Sequence, residues 1–282
     1  MTDITTGQSN QAFGFDAATN LTIGYYNVAI GTNALYSETI GDRTTAVGES
    51  ALYSQNSNTN NETTGNVGLG FGAGYFNVTG TYNTYIGYNA GYGPGSQASN
   101  SSNTAVGASA LTAVTTGGAN VAVGFSSLAA NDDGGDNVAI GHKSLEALTS
   151  SNTNVAIGDS AMRYMDNTAD GLTDCVAVGA SAFAGSATAT TIGANGTVAI
   201  GKSALAALTV GERNLALGYQ AADALTQGDD NVAIGHSALG GATGTDGIDK
   251  NVAVGNGAMS GTNLGAAQNV AIGYAALDDN LT

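Results

Sequence analysis

The chain is built on a short alternation of apolar with small or polar residues that ends each time at a glycine. The stretch 137–158, NVAIGHKSLEALTSSNTNVAIG, opens and closes on the same five letters, and seventeen residues separate Gly141 from Gly158. With positions counted from this glycine, Ile, Val, Leu or, once, Phe stands at −1, and Val is the commonest residue at −3. Alternation with β-branched residues is typical of a β-strand. The pattern therefore predicts one short strand before each such glycine.

The same phrase recurs from one end of the chain to the other. Of the fourteen steps between successive glycines, eight are seventeen residues and none is shorter. A fixed period of this length indicates a repeat architecture. We predict a repeat β-solenoid, either a parallel β-roll or a β-helix, of about 15 coils with a basic period of 17 residues. The repeat glycines are Gly14, Gly31, Gly48, Gly70, Gly87, Gly107, Gly124, Gly141, Gly158, Gly179, Gly201, Gly218, Gly235, Gly255 and Gly273.

The repeat also sets the expected domain organisation. Residues 1–9 are interpreted as an N-terminal lead-in and residues 10–282 as a single solenoid repeat domain. Two consecutive long steps, of 21 and 22 residues, coincide with the loss of the usual Asn at Cys175 and Thr197. We therefore expect irregular coils over about 163–197.

The alternation creates two faces, and both are expected to be packed. Val and Ile at −3 and −1 are expected to fill the interior. The other face carries Asn at −4 in twelve of fifteen coils and Ala at −2 in thirteen, so it allows another chain to approach closely. The recurring Asn predicts a ladder of amides that hydrogen-bond from coil to coil. The predicted ladder includes Asn27, Asn120, Asn137, Asn154, Asn214, Asn231, Asn251 and Asn269.

The residues after the glycine carry a second apolar pattern. Leu or Met stands mostly at +4, and another apolar residue often follows three positions later, as in Leu145 with Leu148 and Leu205 with Leu208. Spacing of three suits one turn of helix, so each coil is predicted to be a short strand followed by a helical turn. A second strand in place of the turn is the alternative.

Association of several chains is expected from the same pattern. Each coil offers few large apolar side chains to set against the entropy of ordering its residues. Contact through the small-residue face would add buried surface, and a homotrimer around an axis is the natural closed arrangement.

Charge excludes two classes of partner. Acidic residues outnumber Lys and Arg by 22 to 6, and the formal net charge is −16. Nucleic acid requires clustered basic residues, and an anionic membrane surface would repel this chain. No apolar run reaches the length of a membrane helix, so neither nucleic-acid binding nor membrane insertion is expected. The single cysteine, Cys175, has no partner for an internal disulfide.

Phrases such as NVAIGTNAL, NTAVGASAL and NVAIGHSAL resemble the head repeats of trimeric autotransporter adhesins and the repeats of phage tail fibres. The resemblance implies a parallel β-solenoid, often homotrimeric, that serves as a shaft or an adhesive head. The function expected from it is a structural and adhesive segment of a phage tail fibre or similar appendage, which presents receptor-binding loops to a cell-surface glycan. The expected location is the virion or the cell surface.

Three other functions are alternatives to the tail fibre. A fragment of a bacterial surface trimeric adhesin is the alternative, since the same repeat would form the same fold in an adhesin and in a tail fibre. A polysaccharide depolymerase and a monomeric surface-binding solenoid are the others. No acid, base or nucleophile constellation stands out in the sequence, so we expect no enzyme and no catalytic residues.

Two groups of residues are candidates for ligand binding. Tyr75, Tyr82, Tyr88 and Tyr92 lie close in sequence, and their rings are suited to stacking on a carbohydrate. Asp132, Asp133 and Asp136 form an oxygen-rich loop that is a candidate Ca²⁺ site, although no calcium-loop motif surrounds it. Packing of the tyrosines and solvation of the aspartates are the competing interpretations. No other cofactor is expected.

Overall fold

The computed structural model describes residues 5–57, 59, 62–95, 98–165, 171–186, 193–241, 248–261 and 267–278. Its internal contacts divide the chain into two units, unit 1 (Met1–Asp136) and unit 2 (Asn137–Thr282). Both units are built from the same coil, and each is described separately.

The described part of unit 1 contains seven three-residue strands, one for each repeat glycine. Each strand pairs in parallel with the strand of the next coil, residue for residue, so that Val28 lies opposite Thr45 and Ala29 opposite Ala46. The strands are β1 (Gln11–Phe13), β2 (Val28–Ile30), β3 (Thr45–Val47), β4 (Val67–Leu69), β5 (Thr84–Ile86), β6 (Thr104–Val106) and β7 (Val121–Val123).

Eight strands of the same kind lie in the residues of unit 2 that the structure describes, and they follow the same parallel, in-register pairing. The predicted β-solenoid with a period of about 17 residues is therefore confirmed in each unit. The strands are β8 (Val138–Ile140), β9 (Val155–Ile157), β10 (Val176–Val178), β11 (Val198–Ile200), β12 (Leu215–Leu217), β13 (Val232–Ile234), β14 (Val252–Val254) and β15 (Val270–Ile272).

The region predicted to be irregular keeps its strand register. β10 pairs in register with both β9 and β11. Much of the remaining sequence between 163 and 197, namely 166–170 and 187–192, lies outside the described residues. The extra residues of these long coils therefore fall outside the strand.

The predicted helical turn after the glycine is wrong for the described part of the chain, which contains no helix. In the coil of Gly31, Asn33 has a φ of 56° and Leu35 a φ of 53°, whereas a right-handed helix requires a negative φ. The Asn33 N–H donates to the Phe15 carbonyl of the previous coil (2.9 Å), and the Leu35 N–H donates to the Ala51 carbonyl of the next coil (3.0 Å). The N–H groups of these two residues therefore bond to opposite neighbouring coils.

The assignment of faces from the sequence is also corrected. The central residue, usually Ala, is buried in every strand except β1, whereas the flanking residues are half-buried or exposed to solvent. The interior is filled by Asn at −4, Ala at −2, Ala or Ser at +3 and the large apolar residue at +4. A coil of seventeen residues encloses little space, and the turn already fills it with one large side chain, such as Leu145 or Leu205.

The repeat glycine forms the corner of each coil under two constraints. Gly31 has a φ of +129°, a conformation that L-residues with a side chain rarely adopt. A Cβ at this position would lie 2.5 Å from the carbonyl oxygen of Gly48, the corner of the next coil. Corners therefore stack backbone on backbone, which explains why this residue never varies among the fifteen coils.

The asparagines at −4 form a ladder that links amide to backbone. The Asn154 N–H donates to Asn137 Oδ1 at 3.0 Å, and Asn154 Oδ1 accepts the N–H of Cys175 at 3.1 Å. Asn154 Nδ2 also donates to the Leu172 carbonyl at 2.7 Å. Each amide thus satisfies backbone groups of the next coil, which offsets its burial. Asn27 and Asn231 repeat all three contacts, and Asn120, Asn214 and Asn251 repeat two of them. Asn269, which is only half-buried, repeats the contact from its N–H.

Candidate functional site

The outward side chains at −1 form a continuous apolar row in each unit. Those at −3 are apolar throughout unit 2, whereas unit 1 has Gln11, Thr45, Thr84 and Thr104 among its valines. We call the apolar residues at −3 and −1 of these strands the apolar stripe. In unit 2, Ile157 is 38% exposed and Leu217 is 42% exposed, and in unit 1 Ile30 and Leu69 are 41% and 45% exposed. The in-register pairing places each of these side chains directly above its equivalent in the neighbouring coil. A row of apolar side chains this regular is an unusual surface for a soluble chain.

A second outward row consists of aromatic residues at +1, directly after the repeat glycine. We call it the ring column. In unit 1 the rings of Phe71 and Tyr88 are stacked, with centroids 5.3 Å apart and planes 12° apart. In unit 2 Tyr219 and His236 are stacked at the same centroid distance. The sequence contained the signal, since Phe or Tyr follows the repeat glycine in six coils, but our reading of the sequence did not identify it.

A third row lies at +5 in unit 1, and its rings stack on one another. Tyr36, Tyr53, Tyr75 and Tyr92 are stacked in succession, with centroids 4.9 to 5.1 Å apart. Burial, and then the neighbouring Tyr53 and Tyr92, raise the pKa of Tyr75 above its ordinary value. Because Tyr75 has a ring on each side, neither of its faces is open for stacking on a sugar.

The four tyrosines predicted as a ligand site therefore lie in different rows of the coil. Tyr75 and Tyr92 belong to the covered stack at +5. Tyr88 belongs to the ring column, and Tyr82 stands at −5 beside Gly65; both are more than half exposed. Tyr82 and Tyr88 are thus the most exposed members of the set, whereas Tyr92, at the end of its stack, is half-buried.

Tyr85 occupies the interior position that Ala holds in most coils. Its ring is fully buried, its hydroxyl donates to Asn100 Oδ1, and burial raises its pKa. Gly74 and Gly91 replace the large residue at +4 in this coil and the previous one, and a Cβ at either would lie within 2.6 Å of the tyrosine ring. Tyr85 therefore fills the space that two leucines occupy elsewhere.

Two of the three aspartates of the predicted calcium loop, Asp132 and Asp136, bond to neighbouring coils. The Asp132 carbonyl accepts the N–H groups of Thr115, Thr116 and Gly117, and its carboxylate accepts the Thr115 hydroxyl. The Asp136 N–H donates to the Gly118 carbonyl at 3.0 Å. Among the residues that the structure describes, no three His, Cys, Asp or Glu side chains lie close enough together to hold a metal ion.

Several ionisable side chains of unit 2 form ion pairs, some within one coil and some between adjacent coils. Partial burial disfavours the charge of Glu146, but hydrogen bonds from Arg163 and Lys143 outweigh it and hold the pKa of its carboxyl below the ordinary value. On the surface, His142 Nδ1 lies 2.8 Å from Asp159 Oδ2. Burial raises the pKa of Cys175 to about 11, so its thiol is neutral and unsuited to nucleophilic attack at pH 7. These contacts resemble structural ion pairs more than a catalytic constellation.

Comparison with known proteins adds no relative to this picture. No protein-family model, curated protein or solved structure matches the chain. Within the described ranges there is also no helix long and apolar enough to cross a membrane.

Proposed function

We propose that the protein is a structural and adhesive fibre segment that assembles as a homotrimer. In this proposal it belongs to a phage tail fibre or similar surface appendage and presents receptor-binding residues to a cell-surface glycan. The observation that carries the proposal is the apolar stripe. A single chain leaves the stripe in water, whereas contact with a partner of matching geometry would bury it.

Another copy of the same chain is the partner that fits the stripe best. Each strand presents the same pair of outward positions, and a second copy offers the same side chains at the same spacing. Identical chains usually assemble with closed symmetry, which buries every copy of a shared surface. The number three follows from the resemblance of the repeat to trimeric fibre and adhesin heads.

Adhesion is assigned to the exposed rings and the insertions of the coil. Tyr82 and Tyr88 offer ring surface in unit 1. The insertions at 54–65, 93–102, 184–196 and 240–250 all fall between the large apolar residue at +4 and the next strand. Loops on a rigid repeat commonly carry the binding function. Residues 58, 60–61, 96–97, 187–192 and 242–247 of these insertions lie outside the described residues.

Light scattering on stripe variants tests the assembly. We expect a native mass near three times 27.6 kDa, and a monomer when Ile157 and Ile200 are both changed to Lys, because two charges per chain would be buried at each contact. The control, Ser150→Lys, adds charge at an exposed residue outside the stripe and keeps the mass of the wild type. A monomeric wild-type protein would rule out the trimer.

A glycan array probed with the wild-type protein tests adhesion separately, and no bound glycan would leave only the structural role.

A further inference from the structure

The ring column of unit 1 contains a gap between two aromatic residues. Tyr88 and Phe125 stand at +1 in two coils, and the coil between them has Ala108 at that position. Hydrogen bonds fix the alignment, since the Ser109 N–H donates to the Tyr88 carbonyl (2.9 Å) and the Ser126 N–H donates to the Ala108 carbonyl (3.0 Å). Tyr88 is 58% exposed and Phe125 is 51% exposed. The coil of Ala108, whose side chain is a single methyl group, therefore lies between two coils that each carry an exposed aromatic residue at +1.

The height of this gap follows from the spacing of the coils. Neighbouring parallel strands lie about 4.8 Å apart, so two coil steps separate the backbones of Tyr88 and Phe125 by about 9.6 Å. Phe71 and Tyr88 show that rings in adjacent coils stack at this spacing, with centroids 5.3 Å apart. The space beside Ala108, measured along the stack of coils, is therefore wide enough for one aromatic ring. We call the space between Tyr88 and Phe125, above Ala108, the aromatic slot.

We infer that the aromatic slot binds a quaternary ammonium group of the choline type. A nitrogen at mid-height would lie about 4.8 Å from each ring, within the roughly 6 Å over which a cation is attracted to an aromatic face. Its methyl carbons project about 1.45 Å further, which brings them to roughly 3.4 to 4 Å from both rings, the distance of van der Waals contact. A flat guanidinium stacked on one wall would leave the other wall without contact.

The charge of unit 1 favours a cation over a neutral group of the same shape. Residues 1–136 contain nine Asp and Glu but a single basic residue, Arg43. The Arg43 guanidinium already lies over the Tyr26 ring, 5.6 Å from its centroid. The excess of acidic residues attracts a mobile cation to this unit, and the two rings supply the short-range contact.

Unit 2 repeats the order of residues with different chemistry. The stacked pair Tyr219 and His236 is followed by Asn256 and then by Tyr274 at the same position of successive coils. Here a polar side chain replaces Ala108, and an imidazole replaces the phenol of Tyr88. This position is an internal comparison within the same protein, and we expect it to bind the same cation more weakly.

Titration of the intact protein with choline chloride tests the slot. NMR of the choline methyl protons should show upfield shifts, because the methyl groups lie over two aromatic faces. The neutral isostere 3,3-dimethyl-1-butanol should bind about tenfold more weakly, since it has the shape of choline without its charge. Equal affinity for the two compounds would overturn the inference.

Two variants separate the slot from general surface binding. Ala108→Phe fills the slot with a ring that other coils carry at +1, so choline binding should be lost while thermal stability is kept or raised. Phe15→Leu removes an exposed ring of the same column outside the slot and should leave binding unchanged. Persistent binding by Ala108→Phe would also overturn the inference. Cosedimentation with phosphatidylcholine vesicles then distinguishes a lipid head group from choline on a soluble polymer.

This inference does not depend on the trimer or on a neutral glycan ligand. Choline binding is read from the ligand signals, whereas assembly is read from the native mass. A failure of one therefore leaves the other intact.

Discussion

The repeat glycine is the most constrained residue of the coil. Gly218 has a φ of +141°, and a Cβ there would lie 2.4 Å from the Gly235 carbonyl oxygen. Any side chain would strain the backbone and also separate two stacked corners. Conservation of this residue among the fifteen coils thus reflects the contact between coils as well as the turn within one.

Substitution of this glycine should be far more damaging than substitution of a glycine in open space. We expect Gly218→Ala to lower the free energy of unfolding by about 3 kcal/mol, since backbone strain and the clash with Gly235 act together. Gly193→Ala is the control, because a Cβ there meets nothing within 4 Å, and its effect should stay within about 0.5 kcal/mol. Urea denaturation of both variants measures the difference. Equal losses would show that the corner tolerates a side chain.

At the scale of the element, the strands were predictable and the turns were not. Each observed strand covers the three residues before the repeat glycine, as the alternation at Val138 to Ile140 indicates. The apolar spacing of Leu145 and Leu148 indicates a helical turn, but the inward residues of a turn with a positive φ at +2 and +4 have the same spacing. Gly72 and Gly257 at +2 were the signal for that turn, because glycine favours a positive φ.

The choice of the inner face was the second limit of the sequence. Alternation by two is satisfied whichever face points inward, so it does not distinguish Val138 from Ala139 as the buried residue. Size makes the distinction, since only a small residue fits beside the large side chain at +4. Tyr85 is consistent with this rule. Its large ring fits at −2 because Gly74 and Gly91 stand where other coils have a large side chain at +4. The candidate ligand residues were less predictable. The sequence does not show that Tyr75 is stacked between two other rings whereas Tyr88 is more than half exposed.

The exchange of a tyrosine for two leucines predicts a strong coupling between these positions. Gly91→Leu alone should destabilise unit 1 by about 3 kcal/mol, because the new side chain overlaps the Tyr85 ring. Tyr85→Ala alone should cost about 3 to 5 kcal/mol by leaving a cavity. The double variant should be about 2 kcal/mol more stable than the sum of the two, since leucine then fills the cavity.

A double-mutant cycle by chemical denaturation measures that coupling. Leu21→Ala is the control partner for Gly91→Leu, because Leu21 is buried in a distant coil of the same unit and the two effects should add. If the effects of Gly91→Leu and Tyr85→Ala on the free energy of unfolding also add, Tyr85 does not occupy the space that leucines fill in other coils.

At the scale of the whole molecule, net charge opposes the association that the apolar stripe favours. The formal charge is −16 at pH 7, and the sequence pI is about 4.1. Like charge keeps assembled proteins apart in solution, and this repulsion disappears as the carboxylates are protonated. The same excess of acidic residues that favours a cation in the aromatic slot therefore limits uncontrolled aggregation.

Association should accordingly depend on pH with a maximum near the pI. As pH falls from 7 towards 4.1, scattered light should rise because the net repulsion is lost, and it should fall again at lower pH as net positive charge develops. Changing Asp132, Asp133 and Asp136 together to Asn should move the maximum to higher pH, since fewer protons are then needed for neutrality. A scattering signal that does not vary with pH would show that charge has no part in keeping the assemblies apart.

The stacking of identical corners also has a consequence for the gene. Because each coil contacts its neighbours through the same backbone positions, a whole coil removed from within one unit leaves its former neighbours in matching register. Unequal recombination between two NVAIG codon runs would remove or add such a coil in frame, and the product would still fold. Loss of a single codon inside a strand would instead misalign every later contact in that coil. Natural variants of this protein should therefore differ in length by whole coils, with smaller length changes confined to the insertions.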